Sequence, residues 1–180
     1  MTARDAIIET TCELLELQGY AATGLNQIIK QSGSPKGSLY YYFPGGKEEL
    51  ATQAVKQAGE IVLQRIRENL VEIDDPAEAI SGFIKNIAVH AERSGFRAGG
   101  PITTVAMETA SSSERLRQEC HQIYRGWQEA FADKLKAGGV GEARAKRIAT
   151  LIISSIEGGV ILCRTGQSRE PLEQVAEEIR

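Results

Sequence analysis

Apolar residues in this chain recur at steps of three and four, broken by short links bearing glycine, serine and proline. That is the pattern of amphipathic helices that must bury one face against another. From Glu48 to Arg180 no alternating segment of useful length supports a strand. An all-α fold follows. In 180 residues such a chain forms one compact domain, or a small domain sharing a core with a larger one. With 42% hydrophobic and 25% charged residues, five prolines and dispersed charges, it is neither disordered nor collagen-like.

The first fifty residues carry the densest punctuation. Ile7, Ile8, Thr11, Leu14 and Leu15, with Ala3, share one face of a first helix, and Gly19 supplies a left-handed stop. Leu25, Ile28 and Ile29 make a second, two-turn helix, with Thr23 placed to cap it through its hydroxyl. Ser32-Gly33-Ser34 breaks that helix. Pro35 then stands at the first position of a third, with Ser34 as its cap.

At about 100° per residue, Leu39 and Phe43 of the third helix point together into the core made by the first two. Gly37, Ser38 and Tyr41 point the opposite way, Tyr40 and Tyr42 lie on the flanks, and Lys36 reaches out from the first turn. Tyr-Tyr-Tyr-Phe cannot all face one core. A surface of glycine, serine and tyrosine edged by lysine suits a DNA groove, because glycine permits contact while hydroxyls and ammonium groups donate to phosphates and base edges. The net charge of −3 rules out a uniformly basic surface, yet from Leu17 through Lys47 there is no Asp or Glu, while Lys30, Lys36 and Lys47 fall in that window.

Beyond Glu48 the spacing gives a long fourth helix through Leu50, Val55, Ile66 and Leu70, then Asp74-Asp75-Pro76 ends it and caps a fifth. A glycine-rich link from Ser94 to Pro101 leads to a short apolar helix. Ser113-Glu114 opens the next, Gly138-Gly139 closes it, a helix runs from about Glu142 to Arg164, and Pro171 opens the last. The final pair is apolar on more than one face, and Gly158-Gly159 allows close backbone approach. A second copy of the chain is expected to cover that surplus, over Leu151, Ser155, Gly158, Gly159, Leu162, Leu172 and Val175. Pairing also suits the head, since two short recognition helices read a twofold site about 34 Å apart.

The run from Thr23 to Phe43, with Pro35-Lys36-Gly37-Ser38-Leu39-Tyr40 followed by Phe43-Pro44-Gly45-Gly46-Lys47, resembles the DNA-binding domain of TetR-family transcriptional regulators, in particular the LmrA/YxaF-like branch. The resemblance implies an N-terminal helix-turn-helix domain over 1–46 and a helical effector-binding and dimerisation domain over 47–180, joined to its partner by its last two long helices. It implies that Lys36, Gly37 and Tyr41 approach bases, and that Thr23, Tyr42 and Lys47, with Tyr40, hold the DNA backbone. Lys47 also opens the fourth helix, where a lysine can lie beside a phosphate. Ser34-Pro35 replaces the commoner valine-serine pair, so the contact usually made by that serine is not carried over. The family's middle helices enclose a small, often hydrophobic effector, which places Phe83, Ile87, His90, Val105, Met107, Tyr124, Trp127 and Phe131 as lining. Gly99-Gly100-Pro101 stands where the branch often has Gly-Cys-Pro, so no cysteine acts there.

The expected function is a ligand-responsive transcriptional repressor that binds operator DNA as a homodimer. The competing expectation is a small helical ligand-binding or enzymatic protein whose head has lost DNA binding. No nucleophile elbow, phosphate-binding loop or dinucleotide fingerprint occurs, so no enzyme activity and no cofactor are expected. Cys12, Cys120 and Cys163 lack metal-ligand spacing, and adjacent Cys120 and His121 diverge on one helix, so no metal site is expected. Asp5 and Glu9 interrupt what would be a signal core, and the apolar run from Ile148 to Cys163 falls short of the roughly 20 residues that span a bilayer. A cytoplasmic protein that does not enter a membrane is the expectation.

Overall fold

The computed structural model describes residues 2–97 and 100–179, so part of the link between Ser94 and Pro101, including Gly99 of the Gly99-Gly100-Pro101 reading, lies outside the described residues. The described residues form helices and no strands: α1 (Ala3–Ala22), α2 (Leu25–Ser32), α3 (Lys36–Tyr42), α4 (Gly46–Glu72), α5 (Pro76–Arg93), α6 (Pro101–Thr109), α7 (Glu114–Ala137), α8 (Glu142–Gly166) and α9 (Glu170–Glu178). The all-α expectation holds.

The chain divides into two compact units, one of Met1–Glu60 with Gly100–Ile123, the other of Ile61–Gly99 with Tyr124–Arg180. Helices α4 and α7 contribute residues to both. In the first unit α1 packs on α2, α3 and α6. Its core gathers Ile7, Ile8, Leu14, Leu15, Ile28, Leu39, Phe43, Leu50 and Val55, all buried. Each fully buried large aliphatic side chain contributes roughly 1.5–3 kcal/mol, so this small cluster suffices to fix short helices that would not persist alone. In the second unit α9 lies against α5 and α8. Phe83 meets Phe131 edge to face at 5.7 Å, and Tyr124 meets Trp127 at 5.3 Å.

Several local readings are corrected. Thr23 does not cap α2: the capping position is Gly24, without a side-chain bond, and the Thr23 hydroxyl donates to the Gly19 carbonyl at 2.6 Å. Ser34 does not cap α3 either. Pro35 occupies that position, while the buried Ser34 hydroxyl donates to the Ala3 carbonyl at 3.4 Å. Gly19 interrupts α1 with φ 77° and ψ −178°, an extended break at positive φ, and a further turn runs on to Ala22. Asp75 caps α5 as read, accepting from the Glu78 N–H at 2.9 Å, with Pro76 in the first turn.

Helix α8, which contains the apolar run from Ile148 to Cys163, keeps close to the bounds read from the sequence. Its 25 residues are long and apolar enough, by length and composition, to cross a membrane. Here one stripe of it, Ala145, Ala149, Ile152, Ile156 and Cys163, is buried within the second unit.

Candidate nucleic-acid interface

The turn between α2 and α3 is built by three small residues. Gly33 ends α2 at φ 64° and ψ 10°, the left-handed conformation that a side chain would strain. The Ser34 N–H then donates to Ser32 Oγ at 3.3 Å, and Pro35 sets the extended entry to α3. Leu39 and Phe43 are completely buried, which fixes the rotation of this seven-residue helix.

With that rotation fixed, Lys36, Gly37 and Tyr40 are exposed and Tyr41 is 79% exposed. A side chain at Gly37 would meet no atom within 4 Å, so its surface is open backbone. Tyr42 bridges outward and inward groups, lying edge-on to Tyr41 at 5.1 Å and to Phe43 at 6.4 Å. This braces the exposed tyrosines from the core and limits the rotamer freedom they would lose on contact. Arg4 joins from α1, its guanidinium 5.9 Å from the Phe43 ring centroid and its Nη2 donating to Gln53 Oε1 at 2.5 Å. No local spacing marks Arg4, because its partners are distant in sequence.

Lys47 is only partly exposed. Its ammonium lies 4.4 Å from the centroid of the Tyr20 ring and donates to the Ala21 carbonyl at 3.4 Å. Burial lowers its pKa from the ordinary lysine value, while the charge of Glu108 opposes that shift. The acid-free window of the sequence is therefore joined in space by a carboxylate from α6, a partner that linear spacing could not reveal. Thr23 is buried and its hydroxyl is committed to Gly19, so its side chain does not offer the backbone contact that resemblance implied.

The other two groups of sequence-derived residues divide by unit and by burial. Val105 and Met107 belong to the first unit, whereas Phe83, Ile87, His90, Tyr124, Trp127 and Phe131 belong to the second. Met107 is 82% exposed and His90 is exposed, so both face solvent and do not line an enclosed cavity. Phe83, Val105, Trp127 and Phe131 are buried. On α8, Leu151 and Leu162 are exposed, Ser155 and Gly158 half-buried. Gly159 and Leu172 are corrected from interface to interior: both are buried, and a side chain at Gly159 would stand 2.6 Å from Leu172 Cδ2. Val175 is half-buried on α9. Among the described residues no three His, Cys, Asp or Glu side chains cluster to hold a metal ion.

A short helix rotated by two buried residues, held after a glycine turn and showing tyrosines and a lysine to solvent, defines a helix-turn-helix DNA-binding protein. Residues 7–54 match the model of the tetR family of bacterial regulatory proteins, and residues 76–178 match the C-terminal domain of LmrA/YxaF-like transcriptional regulators. The chain belongs to the TetR family of transcriptional regulators, in its LmrA/YxaF-like branch.

It is 46% identical to the HTH-type transcriptional regulator YxaF of Bacillus subtilis (strain 168), over 98% of this chain and 93% of the relative. It is 42% identical to the HTH-type transcriptional regulator LmrA of the same organism, over 97% and 93%. Among solved structures, the reduced form of Escherichia coli NemR matches with a TM-score of 0.88 at 22% identity, over 99% of this chain and 96% of that one. The TetR-family regulator CifR, solved with a 26-base-pair operator duplex, matches with a TM-score of 0.84 at 18% identity, over 97% and 93%. At these identities the structural likeness is one of fold.

Proposed function

We propose that this protein is a cytoplasmic, homodimeric, ligand-responsive repressor that reads operator DNA with α3 and has no enzymatic role. The observation that carries the reading is Tyr41, 79% exposed on the face of α3 opposite the buried Leu39 and Phe43. A large aromatic held outward beside Lys36 and Gly37 gains nothing for folding and suits a groove. Lys36, Gly37 and Tyr41 approach bases. Tyr40, Tyr42 and Lys47 hold phosphates, and residues 1–46 act as the reading head.

The 47–180 body carries pairing and effector binding. Leu151, Ser155, Gly158 and Leu162 meet the partner copy, and the buried aromatics of the second unit, with Ile87, supply an apolar site for a small hydrophobic effector. Effector binding favours a dimer whose two α3 helices no longer match the half-site spacing, a coupling typically of about 1–3 kcal/mol. The alternative of a head without DNA function leaves the exposed Tyr41 and its acid-poor surroundings without a role.

The test is fluorescence anisotropy with labelled DNA from upstream of the protein's own coding region, against random duplex competitor. Saturable binding that outcompetes random DNA and is weakened by Tyr41→Ala is expected. If neither this DNA nor any fragment selected from the genome binds above the random competitor, the reading is wrong.

A further inference from the structure

Lys47 rests on a platform formed by the turn that follows the Gly19 break in α1. The Tyr20 ring lies under its ammonium, and the Ala21 carbonyl accepts from it. That turn has its own anchor. The Ala21 N–H donates to Glu108 Oε2 at 2.7 Å, and the other carboxylate oxygen lies against Gly19, where any side chain would collide with it. One residue, Ala21, is thus gripped at both of its backbone polar groups, its N–H by a carboxylate from α6 and its C=O by an ammonium from α4. Both bonds are charge-assisted, but the carboxylate bond is much the shorter, 2.7 Å against 3.4 Å, so it sets the position of the turn more firmly than Lys47 does.

We propose that Glu108 is a positioning residue for DNA binding: from α6 it fixes the Tyr20–Ala22 turn on which Lys47 rests, and so sets where that ammonium meets a DNA phosphate. The inference rests on the DNA-binding reading above and gives α6 a point of control over it. Glu108 itself does not touch DNA.

Two physical accounts of Glu108 have opposite signs. As a bare negative charge near bound DNA it repels phosphates, and its removal strengthens binding. As an anchor its removal frees the turn, lets Lys47 wander and weakens binding. The experiment is a salt series of DNA titrations on the full-length protein, using the labelled upstream duplex, for wild type, Lys47→Ala, Glu108→Ala, Glu108→Gln and the Lys47→Ala/Glu108→Ala double variant.

Glu108→Ala is expected to weaken binding on the order of fivefold and to lower the salt slope by about one, as Lys47→Ala does, because one phosphate contact is lost in each. The double variant loses about one unit of slope, not two. Glu108→Gln keeps an acceptor for the Ala21 N–H and recovers the slope. Circular dichroism on the same samples gives the folded fraction, and a loss of folded protein alone changes the apparent affinity without changing the slope. If Glu108→Ala does not fold, Glu108→Asp, shorter by one methylene, replaces it.

Binding by folded Glu108→Ala that equals or exceeds wild type, or slope losses that add in the double variant, would overturn the proposal. An unchanged slope in Lys47→Ala would overturn it too, by removing the phosphate contact. In that event Tyr41→Ala still reports on whether α3 reads DNA.

Discussion

Helices α3 and α8 both turn large hydrophobic side chains toward solvent, but they expose different chemistry. On α3 the exposed residues are tyrosines beside a lysine and an open glycine, so each apolar ring ends in a hydroxyl and cations lie close by. On α8 they are the aliphatics Leu151, Ile161 and Leu162, with Ser154 between and Gly158 opening the backbone. A polar tip on a rigid ring serves a wet, anionic surface. Bare aliphatics around a small residue serve a dry one, such as the same stripe on a second copy. Exposure alone therefore does not assign an interface; what each side chain carries at its end does.

The largest effect should come from putting charge into the dry face. Ile161→Glu is expected to convert the dimer to monomer in light scattering and, by removing the second head, to weaken operator binding by roughly a hundredfold or more. Retention of the dimer would mean that this stripe is not the pairing surface. Leu172→Ala sharpens the boundary of that face. Because Leu172 packs on Gly159 inside the chain, it should cost about 2–5 kcal/mol in denaturant unfolding, with folded protein still dimeric; a stable monomer would return Leu172 to the interface.

On the wet face, Tyr41→Ala should weaken specific binding by about tenfold with little change in stability, and should narrow the gap between operator and random DNA. Lys36→Ala is milder. It should weaken operator binding severalfold and random DNA less, because its contact is to a base edge. A smaller change concerns the thiols. Burial pushes Cys12 up to about 12 and Cys120 to about 11, so alkylation near neutral pH should be much slower in native than in unfolded protein. Rapid labelling of native protein would contradict this packing.

The parts of the fold that were legible in the sequence are those fixed by local periodicity. Leu39 and Phe43 share a face by helical geometry alone, and that one fact places Tyr41 outside. The helix order, the Asp75 cap and the glycine turn at Gly33 follow in the same way. What escaped depends on partners distant along the chain. Thr23 has the right side chain for a cap, but the break at Gly19 leaves a carbonyl within its reach, and the hydroxyl turns back to it. Ser34 is drawn inward by Ala3.

Glu108 carries no motif, since its role exists only because α6 lies along the end of α1. Leu172 and Leu162 are alike in sequence, and only packing against Gly159 assigns one to the interior. The family resemblance placed Met107 and His90 among the lining residues, yet helical phase turns both to solvent.

The central claim is that two outward α3 faces of a dimer read one duplex. Hydroxyl-radical footprinting on the tightest-binding DNA tests it most directly. Two protected patches on one side of the duplex are expected, centred about 34 Å apart or a multiple of it, both fading together in Tyr41→Ala at the protein concentration that half-saturates the wild type. A single patch, or protection undiminished in Tyr41→Ala at that concentration, would contradict it.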